Sequence, residues 1–261
     1  MIYAGIDAGS RAIKIILLDA ADKKVLAQGA MNQGVEQDKL SIELFNSLLK
    51  ASGIKGKDVK KTVATGYGRN IIRIADTTIT EITCQAAGVH HLVPDVKTII
   101  DIGGQDSKLL RLDDSGKVRD FAMNDRCAAG TGRFLEVVAE RLGIRLESLG
   151  QMAAKSKKLA VISSMCVVFA ETEIIGLLAT GETRENIVAG VQASMSTRIR
   201  AMAGSKLDLP IVFTGGVAKV PGMEKALKAA LGQRITVSPY PQMTCALGAA
   251  LLASKGFDSK E

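Results

Sequence analysis

Two of the four cysteines stand where a thiol can do chemistry. In NDRCAAGTGRFLEVVAERLG, residues 124–143, Cys127 follows Asn-Asp-Arg and precedes an apolar-periodic stretch with Phe134, Val137, Val138 and Leu142. In SSMCVVFAETEIIGLLATG, residues 163–181, Cys166 precedes a second such stretch with Phe169, Ile174, Ile175 and Leu178. Both stretches read as helices, and a helix start presents unpaired N–H groups and the positive end of its dipole to the residue before it. That setting lowers a thiol pKa and favours an anion bound to sulfur. An iron–sulfur cluster is such an anion, and a four-iron cube takes four thiolates. One chain offers two, so the count closes if a two-fold homodimer gathers two copies of Cys127 and Cys166 around one shared 4Fe-4S cluster. The alternative is a pair of inert or redox-sensing thiols. Cys84 and Cys245 read as small buried apolar residues, and the four form neither a Cys-x-x-Cys pair nor a secreted disulfide framework.

Glycine turns supply a second chemistry. IDAGSRAIKIILLD, residues 6–19, and IDIGGQDSKLLRLD, residues 100–113, lie at an offset of 94 and agree at six of fourteen positions. The matches are Ile6/Ile100, Asp7/Asp101, Gly9/Gly103, Lys14/Lys108, Leu18/Leu112 and Asp19/Asp113. Each copy reads as a strand, a tight Asp-x-Gly turn and a second, antiparallel strand, followed by a polar turn and another strand ending in Met-Asn. Gly9, Gly103 and Gly104 let backbone amides approach an anion more closely than any residue with a Cβ allows, as a phosphate cradle requires. A third turn, FTGGVA with Gly215, Gly216 and Val217, follows a β-branched strand and leads into a helix over 222–231. Two matched copies point to one duplicated unit.

The chain has 261 residues, 47% hydrophobic and 23% charged, which is enough for two compact lobes. Two strand-turn-strand loops and a later Thr-Gly-Gly turn resemble the acetate and sugar kinase, heat-shock chaperone and actin superfamily. The resemblance implies an α/β, two-lobed actin-like ATPase fold of duplicated, hairpin-containing lobes, with ATP and Mg2+ clamped in the cleft between them. The boundary is expected near Val93-Pro94-Asp95. Residues 1–94, joined by a C-terminal helix within about 245–261, make lobe I, and residues 95–244 make lobe II with the cluster cysteines. Asp7 then belongs to the water shell of Mg2+, since that hard cation takes one or two carboxylates and keeps several waters. Asp101 has two open roles, sharing the metal or orienting the attacking water, and Gln105 is the other candidate for placing that water. Ser10 and Lys14 are candidates for the β- or γ-phosphate. Gly215, Gly216 and Val217 fall beside the adenosine or α-phosphate, and Gly130, Thr131 and Gly132 line the nucleotide cleft.

Composition narrows the partners. Lys and Arg number 34 against 27 Asp and Glu, a net charge of +7, yet they are scattered, and aromatic residues are 3% with no Trp. Neither the basic stripe nor the stacking platforms of a nucleic-acid binder are present. The excess suits an acidic small molecule or partner surface. No apolar run reaches the roughly 20 residues of a membrane helix, and MIYAGIDAGS lacks a signal-peptide pattern, so the expectation is a cytoplasmic protein without membrane partners. His90-His91 reads as a bland surface or turn pair, and Glu171 and Glu173 as complements to their helix start, with a contact to nucleotide or partner as the alternative.

IDAGSRAIK, ATGYGRN, IDIGGQDSK, MNDRCAAGTGRFL, SSMCVVFAE and FTGGVA, in this order, resemble the activator (archerase) components of 2-hydroxyacyl-CoA dehydratases. These are ATPases of the BadF/BadG/BcrA/BcrD type, related to ATP-binding subunits of benzoyl-CoA reductase, and the resemblance covers essentially the whole chain. It implies an oxygen-sensitive homodimer with one 4Fe-4S cluster held between subunits by Cys127 and Cys166. Ferredoxin or flavodoxin would be the electron donor, and ATP hydrolysis would drive low-potential delivery of one electron to a separate dehydratase component. The competing expectation is a small-molecule kinase of the same superfamily, with Asp101 as base toward a sugar or carboxylate substrate and incidental cysteines. A non-catalytic ATP-dependent scaffold is a third. Residues 64–70, ATGYGRN, match the family but yield only a glycine-rich turn from their own chemistry.

Overall fold

Alternating apolar residues broken by Gly and Asp turns make the start of the chain a sheet. The computed structural model describes residues 1–163, 166–204 and 207–256, so Ser164 and Met165 of the second cysteine segment and the last five residues of the expected C-terminal piece lie outside the described residues. β1 (Ile2–Ala8) and β2 (Ala12–Asp19) form an antiparallel hairpin, and β3 (Lys24–Asn32) adds antiparallel to β2. After α1 (Gln37–Ser52), β4 (Val59–Thr65) pairs parallel to β1 and the short β5 (Thr77–Thr78) parallel to β4. The first sheet therefore has the order β3-β2-β1-β4-β5, and α2 (Glu81–Leu92) follows it.

The second copy repeats the plan. β6 (Thr98–Ile102) and β7 (Ser107–Leu112) form an antiparallel hairpin and β8 (Val118–Asn124) comes next. α3 (Gly132–Leu142), α4 (Leu149–Ala154), α5 (Val167–Ala179) and α6 (Arg184–Ala203) precede β9 (Ile211–Thr214), which pairs parallel to β6. α7 (Met223–Leu231) and β10 (Ile235–Val237) complete a sheet of order β8-β7-β6-β9-β10. Read strand for strand this is the order of the first sheet, so the sequence repeat is also a repeat of topology. α8 (Thr244–Ser254) closes the chain.

By their contacts the residues group into two compact units: Met1–Asp95 with Leu112–Arg119 and the segment from Met243, and Val96–Arg111 with Asp120–Gln242. In the first unit β2 is covered on both faces, which is why IILL, residues 15–18, runs unbroken there. Ile13, Ile15 and Leu17 pack with Leu44 and Leu48 of α1, while Ile16 and Leu18 pack with Ala246, Leu247 and Leu251 of α8. α8 approaches α2 closely because each helix presents a glycine to the other: a Cβ on Gly88 of α2 would overlap the carbonyl of Thr244, and one on Gly248 of α8 the carbonyl of Cys84. Cys84 of α2 and Cys245 of α8 are buried in one cluster, and burial pushes the Cys84 thiol up to about 12, so it stays protonated and inert. Gly116, at φ 79°, lies against the His90 ring, which gives that histidine a packing role. In the second unit Ile100, Ile102, Leu109 and Phe213 of the sheet pack with Phe134, Leu135 and Val138 of α3 and with Ile187, Val191 and Met195 of α6. Among the described residues no helix is long and apolar enough to cross a membrane.

Candidate functional site

In the first unit the hairpin register sets Asp7 opposite Lys14, and Lys14 Nζ lies 2.9 Å from Asp7 Oδ2. The lysine is thus drawn to the carboxylate and away from solvent. Position 9 favours the absence of a Cβ, which would sit 2.9 Å from that ammonium and 3.1 Å from the Ala12 carbonyl oxygen. Ser10 is half-buried in the same turn. The structure therefore brings Asp7, Gly9 and Lys14 together, as the pattern required, with Ser10 beside them.

The loop whose role the sequence left open converges on the same point. Gly66, at φ 88°, turns the chain after β4 so closely that a Cβ there would lie 2.5 Å from Asp7 Oδ1. Gly68 donates its N–H to the Ala8 carbonyl at 2.9 Å, and Arg69 Nη1 holds the Gly66 carbonyl at 3.1 Å. Gln33 Nε2 donates to the Gly9 carbonyl at 2.8 Å, and the Gln37 side chain abuts Gly68. Asp7 Oδ1, Gln33 Oε1 and Gln37 Oε1 are buried without a hydrogen-bond partner in the protein. All three flank the C-terminal ends of parallel β1 and β4, where α/β sheets place ligands. Acceptors without donors match a hydrated cation, whose waters donate. Gln33, Gln37 and Gly66 were not anticipated; the signal available was a glycine pair directly after a β-rich stretch.

In the second unit Asp101 faces Lys108 in the equivalent register. Lys108 is 2% exposed, with Nζ 2.7 Å from Asp106 Oδ2 and 3.9 Å from Asp101 Oδ2. It was visible as one of the repeat identities and was not assigned a role. A buried ammonium removed from between two carboxylates leaves charge uncompensated, so Lys108→Met is expected to lower stability by about 3–5 kcal/mol, read as a shift of the denaturant midpoint.

The start of α3 rests on the second glycine loop. Gly132 N–H donates to the Gly103 carbonyl and Arg133 N–H to the Gly104 carbonyl, both at 2.9 Å. A Cβ on Gly132 would lie 3.1 Å from Gly103 O and 3.3 Å from Val217 Cγ2. Gly215, at φ 89°, donates its N–H to Pro241 O at 2.7 Å, and a Cβ on it would collide with the Ile102 carbonyl and Asp101 Oδ1. Asp101, Gly103, Gly104, Gly132, Gly215 and Val217 are thus one assembly. Gly216 adjoins it with open space where a Cβ would be. Buried Thr131 donates its hydroxyl to Ala128 O at 2.8 Å, Gly130 lies near Asn124, and Gln105 is exposed at the turn.

Two expectations about the cysteine helices need correction. The first amides of α3 are spent on Gly103 and Gly104, so Cys127 does not receive them. It precedes a single 3-10 turn, Ala128–Gly130, and is held by Asn124, whose Oδ1 accepts from Cys127 N at 3.1 Å and whose Nδ2 donates to Cys127 O at 2.8 Å. Cys166 does stand at the start of α5, but that helix does not bury the face expected of it. Only Ala170 and Ile174 are buried; Val168, Phe169 and Ile175 are 66%, 68% and 52% exposed. A helix apolar on all sides has no periodicity from which to read its inner face. Cys127 is half-buried, Cys166 exposed, and neither is in a disulfide. Among the described residues no three His, Cys, Asp or Glu side chains gather as a metal site within the chain.

The model of the BadF/BadG/BcrA/BcrD ATPase family matches residues 4–253. The chain belongs to this family. A similar family member is the activator of lactoyl-CoA dehydratase of Anaerotignum propionicum, 43% identical over 100% of both chains. The (R)-2-hydroxyglutaryl-CoA dehydratase activating ATPase of Acidaminococcus fermentans is 42% identical over 96% of each. Among solved structures, the activator of the 2-hydroxyisocaproyl-CoA dehydratase from Clostridium difficile with bound ADPNP superposes with a TM-score of 0.92 at 38% identity, over 98% of this chain and 95% of that one. A ROK family glucokinase from Streptomyces griseus, with a TM-score of 0.60 at 12% identity over 98% and 100%, shows the fold alone. That fold is the α/β actin-like ATPase fold, here with its duplicated sheets.

Proposed function

We propose that this chain is the ATP-dependent electron-transfer activator of a 2-hydroxyacyl-CoA dehydratase or a related CoA-ester reductase, acting as a homodimer around one shared 4Fe-4S cluster. The observation that carries the reading is the pair of accessible thiols, Cys127 and Cys166, beside a helix that leaves an apolar face in solvent. Four-iron ligation needs four thiolates; the remaining two cysteines are buried, so a second copy must supply the other half. The exposed face of α5 suits that copy. It includes Gly176, whose Cβ would touch nothing in its own chain and whose mid-helix position costs about 1 kcal/mol relative to Ala. Small residues tolerated at such a cost fit close approach by another helix. Relatives named as dehydratase activators support the reading, as does a component of the benzoyl-CoA reductase of Thauera aromatica at 33% identity over 96% of this chain.

When bound, the cluster supplies a one-electron, low-potential carrier between ferredoxin or flavodoxin and the dehydratase. The chain's own residues do the rest. Asp7, kept in place by Lys14, holds the water shell of Mg2+, for which its orphaned Oδ1 is the fitting group. Gly9, Ser10 and Lys14 of the first loop and Gly103 and Gly104 of the second contact phosphates, and Gly215, Gly216 and Val217 accommodate the adenosine end. Asp101 or Gln105 orients the attacking water. Gly130, Thr131 and Gly132 connect this machinery to Cys127. Because Gly132 and Arg133 hang on the carbonyls of Gly103 and Gly104, displacement of the second phosphate loop pulls the start of α3 and with it the Cys127 segment.

The test is the colour and metal content of protein purified without oxygen. Brown protein with about two irons and two sulfides per chain, a dimer mass, and bleaching in air are expected. Colourless protein that transfers phosphate from ATP to a sugar or carboxylate would overturn the reading in favour of a kinase.

A further inference from the structure

α5 is fastened by two glutamates whose task is not explained by the dipole of their helix. Its buried line runs through Ala170 and Ile174, and at 100° per residue Glu171 and Glu173 fall about 80° to either side of that line. Glu171 pairs with Arg141, in the last turn of α3, the helix that follows Cys127. Glu173 reaches back past the helix start. Its carboxylate accepts the Ser163 N–H with both oxygens, at 2.9 and 3.1 Å, and the Ser163 hydroxyl at 2.7 Å.

Ser163 belongs to a segment anchored elsewhere. Ala160 and Ile162 are buried, Ala160 N–H donates to Asn186 O of α6 at 3.0 Å, and Ser194 Oγ of α6 donates to Ile162 O at 3.5 Å. Glu173 therefore closes the chain at the base of the stretch that bears Cys166, tying α5 to a point already fixed on α6. Hydrogen bonds to an ionised carboxylate are about twice as strong as neutral ones, which matters for a helix that fully buries only Ala170 and Ile174, with Val167, Leu177 and Leu178 partly buried against the core.

The geometry points to Glu173 as a positioning residue for Cys166: its carboxylate clasp on Ser163 sets where that thiolate stands, while Arg141–Glu171 links the helix after Cys166 to the helix after Cys127. The inference rests on the proposed cluster role and adds a residue that touches neither iron nor nucleotide.

The experiment uses the anaerobic full-length dimer of wild type, Glu173→Ala and Glu173→Gln. Glu173→Ala is expected to surrender iron to a ferrous chelator about tenfold faster or more, and to shift the electron paramagnetic resonance lines of the reduced cluster. ADP affinity should stay within about twofold of wild type, since Glu173 is remote in sequence and bonding from the glycine loops. Glu173→Gln keeps the shape and one acceptor and should fall between. Equal iron-loss rates and spectra in all three proteins would overturn the assignment. A second measurement, site-resolved alkylation of the iron-free chains, is independent of the cluster: Cys166 should react several-fold faster in Glu173→Ala while Cys127 is unchanged. If wild type binds no iron yet Cys166 alkylation responds, the cluster reading fails and the positioning role stands. Unchanged Cys166 alkylation overturns the positioning role whatever the iron content.

Discussion

Chains carrying Cys127→Ser or Cys166→Ser, purified without oxygen, will be colourless, with iron falling from about two per chain to near zero. Serine keeps the size of the side chain and removes the thiolate, so the loss is one of ligation. Nucleotide affinity should change by less than about twofold, because the bonds that shape the second glycine loop run through Gly103, Gly104, Gly132 and Arg133 and none uses a cysteine sulfur. At Cys127 even the local clasp survives, since Asn124 grips backbone atoms. Cys84→Ser and Cys245→Ser should behave the opposite way. Both sulfurs, Cys84 on α2 and Cys245 on α8, sit in one apolar cluster, and hydroxyls there cost stability while leaving iron in place. Iron, sulfide and calorimetric ADP titrations on the four variants give the answer; iron retained in both the Cys127 and the Cys166 variant would refute the ligand assignment.

Neighbouring glycines of the third turn should fail in different ways. Gly215→Ala forces a side chain into the left-handed region, at φ 89°, and drives its Cβ into the Ile102 carbonyl and Asp101 Oδ1. A loss of about 2–4 kcal/mol is expected, combining backbone strain with overpacking, and it should appear in denaturant unfolding of the nucleotide-free protein. Gly216→Ala meets no such obstacle: its Cβ touches nothing, so stability should stay within about 0.5 kcal/mol. A glycine that the fold does not need is explained by an approaching ligand. ADP affinity of Gly216→Ala is accordingly expected to fall tenfold or more, about 1.4 kcal/mol. Normal affinity in that variant would remove the turn from the nucleotide site.

Much of this was legible from residue types. The Asp-x-Gly turns placed between alternating apolar runs produced the two hairpins, and the shared Lys14 and Lys108 turned out to be the cross-strand partners of Asp7 and Asp101. The repeat was legible because a hairpin is local: a glycine's freedom, a strand's alternation and a two-stranded register all act within a dozen residues. Residues 64–70 resisted for the opposite reason. ATGYGRN has no chemistry of its own until β4 lies parallel to β1 and delivers Gly66 against Asp7, a pairing of segments separated by α1. The amides of α3 misled in the same way, since helix starts are generic donors and only the packed chain shows that Gly103 and Gly104 claim them.

Local pattern was enough for the duplicated hairpins, the glycine turns, the two distinctive cysteines and the family that contains them. Three-dimensional packing alone chose which buried oxygens lack donors, which side of α5 remains in solvent, and which carboxylate reaches back to clasp Ser163. Backbone sterics and alternation are properties of neighbours along the chain, whereas burial and hydrogen-bond ownership are settled by competition among groups that only folding brings together.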